Sequence, residues 1–390
     1  MTLAPKPTPA EAAFGLPLPH RRMEDWRWTD LRQLLDRPYP PRQGVTADPR
    51  EVERLIRSSP FAGLAATRIV LVNGHFDAAL SQRANDDVAI AVTDDDPLLR
   101  LNAAFQTDGA RLRVSGTADR PIEIVHVATA AEARTIATRT VIEVTAGSSA
   151  TIIETHVGAG AYLANPVTAI RLEEGARLDR IKAERESADA LHLAQCDVAL
   201  AARTVLRDFT LTSGARINRQ NGTYRFDGQG ADARVSGAYL LGGRQHADTR
   251  LVVDHQVPHC TSRELFKCVM DQQARGIFQG KVVVRPDAQK TDGKQSSHAL
   301  LLSETAEFDA KPELEIFADD VVCGHGATSG DLNHDHLFYL QSRGIPELEA
   351  KALLIAAFVG EAFETVEHDG LREALARFAE IWLLDHKGDR

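Results

Sequence analysis

One phrase recurs through the middle of this 390-residue chain: a small residue, then an alternating apolar run. It appears as Gly109-Ala110-Arg111-Leu112-Arg113-Val114 and as Gly147-Ser148-Ser149-Ala150-Thr151-Ile152-Ile153. It returns as Gly175-Ala176-Arg177-Leu178-Asp179-Arg180-Ile181 and as Gly230-Ala231-Asp232-Ala233-Arg234-Val235. The starting glycines stand 38, 28 and 55 residues apart, the last step covering about two further units. Period-two alternation is strand patterning. An imperfect repeat of it suggests a solenoid of strands, each coil burying its apolar side on its neighbours. Charged residues such as Arg177, Asp179 and Arg207 are expected to face outward, and small corner residues let the chain turn without steric cost. A β-sandwich competes with this reading, and periodicity alone does not exclude it.

Three regions follow. Residues 1–66 read as helical segments with loops: Pro7-Thr8-Pro9 precedes a short helix over Ala10–Phe14, and Asp48-Pro49 caps another through Ile56. Between them, Trp26 and Trp28 are expected to clamp the segment to the body of the fold. Residues 67–330 form the strand-rich core, opening with Ile69-Val70-Leu71-Val72-Asn73-Gly74. Residues 331–390 turn helical again. A helix runs from Glu347 to about Glu364, and a last one carries Leu371, Leu375, Phe378 and Trp382 on a single stripe. The open ends of a solenoid expose unpaired strand groups, which the terminal helices are placed to cap.

Charge and composition narrow the function classes. With 45 basic and 55 acidic residues the net charge is −10, and no basic block stands out, so a nucleic-acid surface is not expected. No run approaches the roughly 18 apolar residues of a membrane span, and Met1–Arg22 lacks a signal-peptide core. The expected location is cytoplasmic. Four cysteines, Cys196, Cys260, Cys268 and Cys323, show no Cys-x-x-Cys spacing, so reduced thiols are the default. Cys268 shares a face with Phe266 and Met270 and reads as core. His255, His259 and Cys260 lie close in sequence, but Pro258 and mixed strand parity break any common face. His334 and His336 flank a surface turn. There is no phosphate-binding Gly-x-x-x-x-Gly-Lys loop and no nucleophile elbow.

The remaining candidate for chemistry is the run Asp319-Asp320-Val321-Val322-Cys323-Gly324-His325-Gly326-Ala327-Thr328. In an extended strand Cys323 and His325 share one face, and the two glycines leave the other bare. A thiolate beside an imidazole suits iron–sulfur or other transition-metal chemistry. On spacing alone the pair reads more readily as a buried cysteine packing beside a hydrogen-bonded histidine, since two residues lack the ligand count of a closed metal site.

The surrounding stretch, Ser262 to Ile345, resembles the SufB/SufD family of the SUF iron–sulfur cluster assembly system. The matching pieces are Leu265-Phe266-Lys267, Gly276-Ile277-Phe278-Gln279-Gly280, Gln289-Lys290-Thr291-Asp292 with Gln295, Leu300-Leu301-Leu302-Ser303, Lys311–Ile316, the Cys323–Thr328 block, and Leu337–Leu340 with Ser342-Arg343-Gly344. Glu24-Asp25-Trp26-Arg27-Trp28-Thr29-Asp30-Leu31 matches the family's amino-terminal segment, with Trp28 where a tyrosine is common. The SufB branch carries a glutamate–histidine–glutamate version of the Cys-Gly-His-Gly block, so the resemblance is to the SufD branch.

The resemblance implies a right-handed parallel β-helix with helical ends, and a non-catalytic scaffold subunit. It implies a SufB-type partner met through the C-terminal strands of the β-helix and a SufC-type ABC ATPase bound by the C-terminal helices. It implies a transient iron–sulfur cluster shared between subunits, with Cys323 and His325 as this chain's metal ligands. A homodimer of the isolated chain and a flavin held by the assembled complex are further expectations left open. The alternatives are a SufB-like paralogue and a β-helix enzyme acting on polysaccharide.

Overall fold

The computed structural model of the chain describes residues 7–35, 37–41, 47–83 and 96–385. Sixteen strands build one continuous sheet that winds into a solenoid. They are β1 (Thr67–Val72), β2 (His75–Phe76), β3 (Gln106–Val114), β4 (Ile122–Val144), β5 (Ser149–Leu172), β6 (Arg177–Arg185), β7 (Leu191–Leu200) and β8 (Val205–Thr212). Then come β9 (Ile217–Phe226), β10 (Asp232–Leu241), β11 (His246–His255), β12 (Thr261–Met270), β13 (Arg275–Val284), β14 (Asp292–Leu301), β15 (Glu307–Ile316) and β16 (Val322–Gly330). Four helices lie before or early in the stack: α1 (Pro9–Phe14), α2 (Leu31–Leu34), α3 (Pro49–Arg57) and α4 (Pro97–Phe105). Three follow it: α5 (His334–Ser342), α6 (Glu347–Phe363) and α7 (Asp369–Asp385). None of the described helices is long and apolar enough to cross a membrane.

The strand order is β15-β13-β11-β9-β7-β5-β6-β8-β10-β12-β14-β16. Odd-numbered strands form one flank and even-numbered strands the other, so each coil gives one strand to each. Every named strand pair is parallel except the short β1–β2 ribbon. That pattern is a parallel β-helix and excludes the antiparallel sandwich. Consecutive partners Arg177, Val205, Asp232, Thr261, Asp292 and Val322 stand 27 to 31 residues apart, the length of one coil.

The corners explain which repeats were visible. Gly147, Gly175, Arg203, Gly230, His259 and Lys290 occupy one corner of successive coils, each with φ between 55° and 73°. Backbone N–H groups step from corner to corner, as from Gly147 to Glu174 O and from Gly175 to Ala202 O. Glycine meets the left-handed conformation without cost, yet three corners use other residues, and the glycine phrase skips those coils. Gly109 is not a corner. It lies inside β3, where a Cβ would stand 1.7 Å from the Arg139 carbonyl oxygen. It marks close backbone approach.

Apolar side chains from β1 to β15 fill the lumen, among them Ile142, Leu178, Tyr224, Tyr239, Phe266, Cys268 and Phe278. Each fully buried side chain of this size contributes about 1.5–3 kcal/mol. Arg177, Asp179 and Arg207 alternate with the lumen residues Leu178 and Leu206 and face outward as expected, yet other charges are turned inward and the lumen is not uniformly apolar. Arg180 sits between Glu154 and Asp208, its Nη1 2.9 Å from the Asp208 Oδ1. Lys182 and His192 both reach Glu184, at 2.6 and 2.9 Å, and His192 also meets Glu186 at 2.7 Å. Pairing makes this tolerable: Arg180 meets carboxylates on the coils either side of it, and Lys182 and His192 meet carboxylates within their own coil.

Two helical layers cover the outer faces. The stripe Leu371, Leu375 and Trp382 on α7, with Ile355, Val359 and Phe363 on α6, packs on Ile181, Phe209, Leu240 and Val269 of the even flank. On the odd flank, Trp26 is buried and lies 4.6 Å from the Arg219 guanidinium. Trp28 is half-buried and does not share that role. The second anchor is Thr29, whose hydroxyl donates to the buried Asp248 carboxylate.

Candidate functional site

The last coil, β15 and β16, leaves the stack open. Both strands are edges of the continuous sheet, and Ile316, Phe317 and Val322 stand exposed there. An uncovered pair of parallel edges at a solenoid end is a ready template for further strand pairing.

Cys323 and His325 share the lumen side of β16, as alternation requires. In register, Cys323 lies beside Gly293 and Ser262, and His325 lies beside Gln295 and Glu264. The next inward positions are Ala327, Ser297 and Phe266. These nine residues form a three-by-three grid on β12, β14 and β16. Cys323 is half-buried against the apolar lumen, and His325 is exposed on the open rung. Gly324 and Gly326 face outward, and a Cβ on either would meet nothing within 4 Å.

Burial raises the Cys323 thiol above its ordinary range; the Gly293 backbone N–H pulls it down, and the Asp292 and Glu264 charges push it up. In the free chain the sulfur is therefore a thiol, and an arriving metal must displace its proton. Among the described residues no three His, Cys, Asp or Glu side chains converge to hold an ion.

The deeper grid is polar. Glu264 is buried, and neither carboxyl oxygen has a hydrogen-bond partner of normal geometry. Burial pushes this carboxyl up to about 8, with the Ser262 hydroxyl and the Arg263 charge pulling the other way. Gln295 donates through Nε2 to the carbonyls of Gly280 and Glu313, at 3.3 and 3.2 Å. Sequence reasoning did not single out Glu264, although the signal was present. The parity that puts Phe266 and Cys268 inside puts Glu264 inside too.

The other sequence candidates fall elsewhere. Cys268 is fully buried in the lumen, where burial alone raises its thiol. His255 is buried and stacks on Phe226 at 4.2 Å, whereas His259 is an exposed corner, so those two histidines do not converge. Cys260 is buried, with Sγ 3.4 Å from the Gly228 carbonyl oxygen. Cys196 lines a cavity of ≈ 30 Å³ beside Arg180 and Thr168. His334 and His336 are exposed in the first turn of α5.

The C-terminal stripe is spent internally on the even flank. An external partner would instead meet Phe338, Tyr339, Leu348, Leu353, Ile381 and Leu384, which the helices leave exposed.

Comparison with known proteins agrees with this architecture. Residues 126–358 match the family model described as SUF system FeS cluster assembly, SufBD core domain. The iron–sulfur cluster assembly protein SufD of Escherichia coli (strain K12) is 28% identical over 382 residues, covering 93% of this chain and 89% of that protein. An iron–sulfur cluster assembly SufBD family protein of Synechocystis sp. is 29% identical over 395 residues, covering 92% and 86%. One from Mycobacterium leprae is 33% identical over 234 residues, covering 58% and 59%. The family model spans the coils that carry both Cys323 and the buried ionic lumen, and the chain belongs to the SufBD family of the SUF iron–sulfur cluster assembly system.

Proposed function

We propose that this chain is a non-catalytic, SufD-type scaffold subunit for building iron–sulfur clusters. Its open end pairs through β15 and β16 with a SufB-type sister subunit. Cys323 and His325 supply two ligands to the nascent cluster, and the sister completes the shell. The exposed face of α5, α6 and α7 docks a SufC-type ABC ATPase, whose cycle moves the paired solenoids.

The observation that carries this reading is the placement of the pair. Both residues stand on the terminal rung, on one face, at an edge that no other part of the described chain covers. A half-formed sphere suits cargo that must leave, since two protein ligands hold an ion less firmly than a closed four-ligand site.

The test is anaerobic cluster reconstitution with SufB- and SufC-type partners, followed by visible absorption. His325→Ala and Cys323→Ser should assemble with both partners and form clusters poorly. Normal cluster formation by both variants would sink the ligand role, and turnover of a polysaccharide by the chain alone would sink the scaffold reading.

A further inference from the structure

Behind the Cys323–His325 pair, the grid holds an unusual excess of acceptors. Both Glu264 carboxyl oxygens, the Gln295 Oε1 and the Ser297 Oγ are buried without a hydrogen-bond partner. All three side chains are at most 3% exposed. Glu264 and Gln295 are direct neighbours on β12 and β14, and Ser297 is the next inward position on β14. A buried carboxyl group with only the Ser262 hydroxyl near it is costly, and so is each unmatched neutral acceptor beside it. In the metal-free chain burial holds Glu264 as the neutral acid, and a cation that displaced its proton would give these oxygens, gathered on two adjacent strands, a partner.

One position beside them is bare. Gly293 separates Ser262 from Cys323 in the register, and a Cβ there would lie 3.5 Å from the Ser262 Oγ, 3.5 Å from the Val282 Cγ1 and 3.6 Å from the Cys323 Sγ. On β14, therefore, position 293 carries no side chain, while Gln295 and Ser297 on the same strand supply the oxygens.

We propose that Glu264, the Gln295 carbonyl oxygen and the Ser297 hydroxyl form an inner site for a divalent metal cation, behind His325 in the register. Oxygen donors of this kind bind hard and borderline divalent ions. The thiolate and imidazole at the rim bind late first-row ions more tightly than such oxygens do. An ion such as ferrous iron would therefore rest on the oxygens and pass outward to the pair. That last role rests on the assembly function proposed above; the existence of the cation site does not.

The experiment uses Mn²⁺ alone, titrated into the full chain and followed by loss of the free-ion electron paramagnetic resonance signal. Wild type should bind one equivalent that Glu264→Gln weakens at least tenfold, while Cys323→Ser retains it. Ser297→Ala, a near-isosteric change, should weaken it severalfold and covers the case in which Glu264→Gln fails to fold. Equal Mn²⁺ binding by wild type and the folded variants would overturn the site, and so would its absence from wild type, which would leave ordered water as the partner of these oxygens. A parallel Co²⁺ titration separates the two claims. Thiolate-to-cobalt absorption that Cys323→Ser abolishes supports the outer pair, and its absence would sink that pair whatever Mn²⁺ shows.

Discussion

Cys323 and Gly293 face each other across the last two even-flank strands, and the sulfur lies 3.6 Å from the point where a Cβ on residue 293 would stand. That spacing is ordinary van der Waals contact. Gly293→Ala should therefore fold with wild-type melting. Gly109→Ala is the contrasting case, because its Cβ would overlap the Arg139 carbonyl oxygen. It should cost about 1–3 kcal/mol or more, since backbone cannot move aside as a side chain does. Chemical denaturation of the two variants checks both statements.

The ionic lumen makes stability depend on pH in two directions. Burial opposes a charge on His192, but Glu184 and Glu186 outweigh it and raise the imidazole to about 9. Its folded value exceeds its ordinary value near 6.5, so the stabilisation is complete below pH 6.5 and is lost as pH rises through 9. Burial instead lowers His255 to about 4 and His156 further. These rings are neutral when folded and charge on unfolding, so their contribution disappears as pH falls below 6.5. Melting temperature should peak near pH 6.5, and His192→Gln should flatten the alkaline limb. An alkaline decline of equal slope in the variant would show that His192 is not its source.

The amino-terminal segment packs on the odd flank through Phe14, Leu18, Trp26 and Leu31, and a short polar chain anchors it. Trp26 stacks on Arg219, which pairs with Asp248, which in turn accepts from Thr29. Trp26→Ala should cost about 3–5 kcal/mol of local or global stability. Limited proteolysis should then cut within residues 7–31, while the solenoid keeps its β circular dichroism.

Two kinds of helix mutation separate docking from folding. Phe338 and Tyr339 are exposed on α5. Replacing them with glutamate should leave melting unchanged and abolish ATPase capture. Leu375 is fully buried on the even flank. Leu375→Glu should detach the helical layer and lower melting by several degrees, because a carboxylate there has no partner. Capture by the Phe338 and Tyr339 variants at wild-type strength would move the docking face elsewhere.

Period two in the strands, the glycine corners and the sharing of one face by Cys323 and His325 were all legible from residue order. Each is a local property, set by backbone geometry over a few positions. The coils turned by Arg203, His259 and Lys290 hid from the same reading, since the stack, not the residue, holds their left-handed corners. The helix α4 was likewise missed within a strand-rich span. Alternation marks Glu264 as inward, but its meaning depends on which strands flank it, and that requires pairing 29 to 31 residues apart. Only the wound structure brings Ser262, Gly293 and Cys323 into one column and shows that the C-terminal stripe is consumed internally. Local conformation follows from short-range sterics, whereas the chemistry of this end of the molecule arises from contacts one full coil apart, which no local pattern encodes.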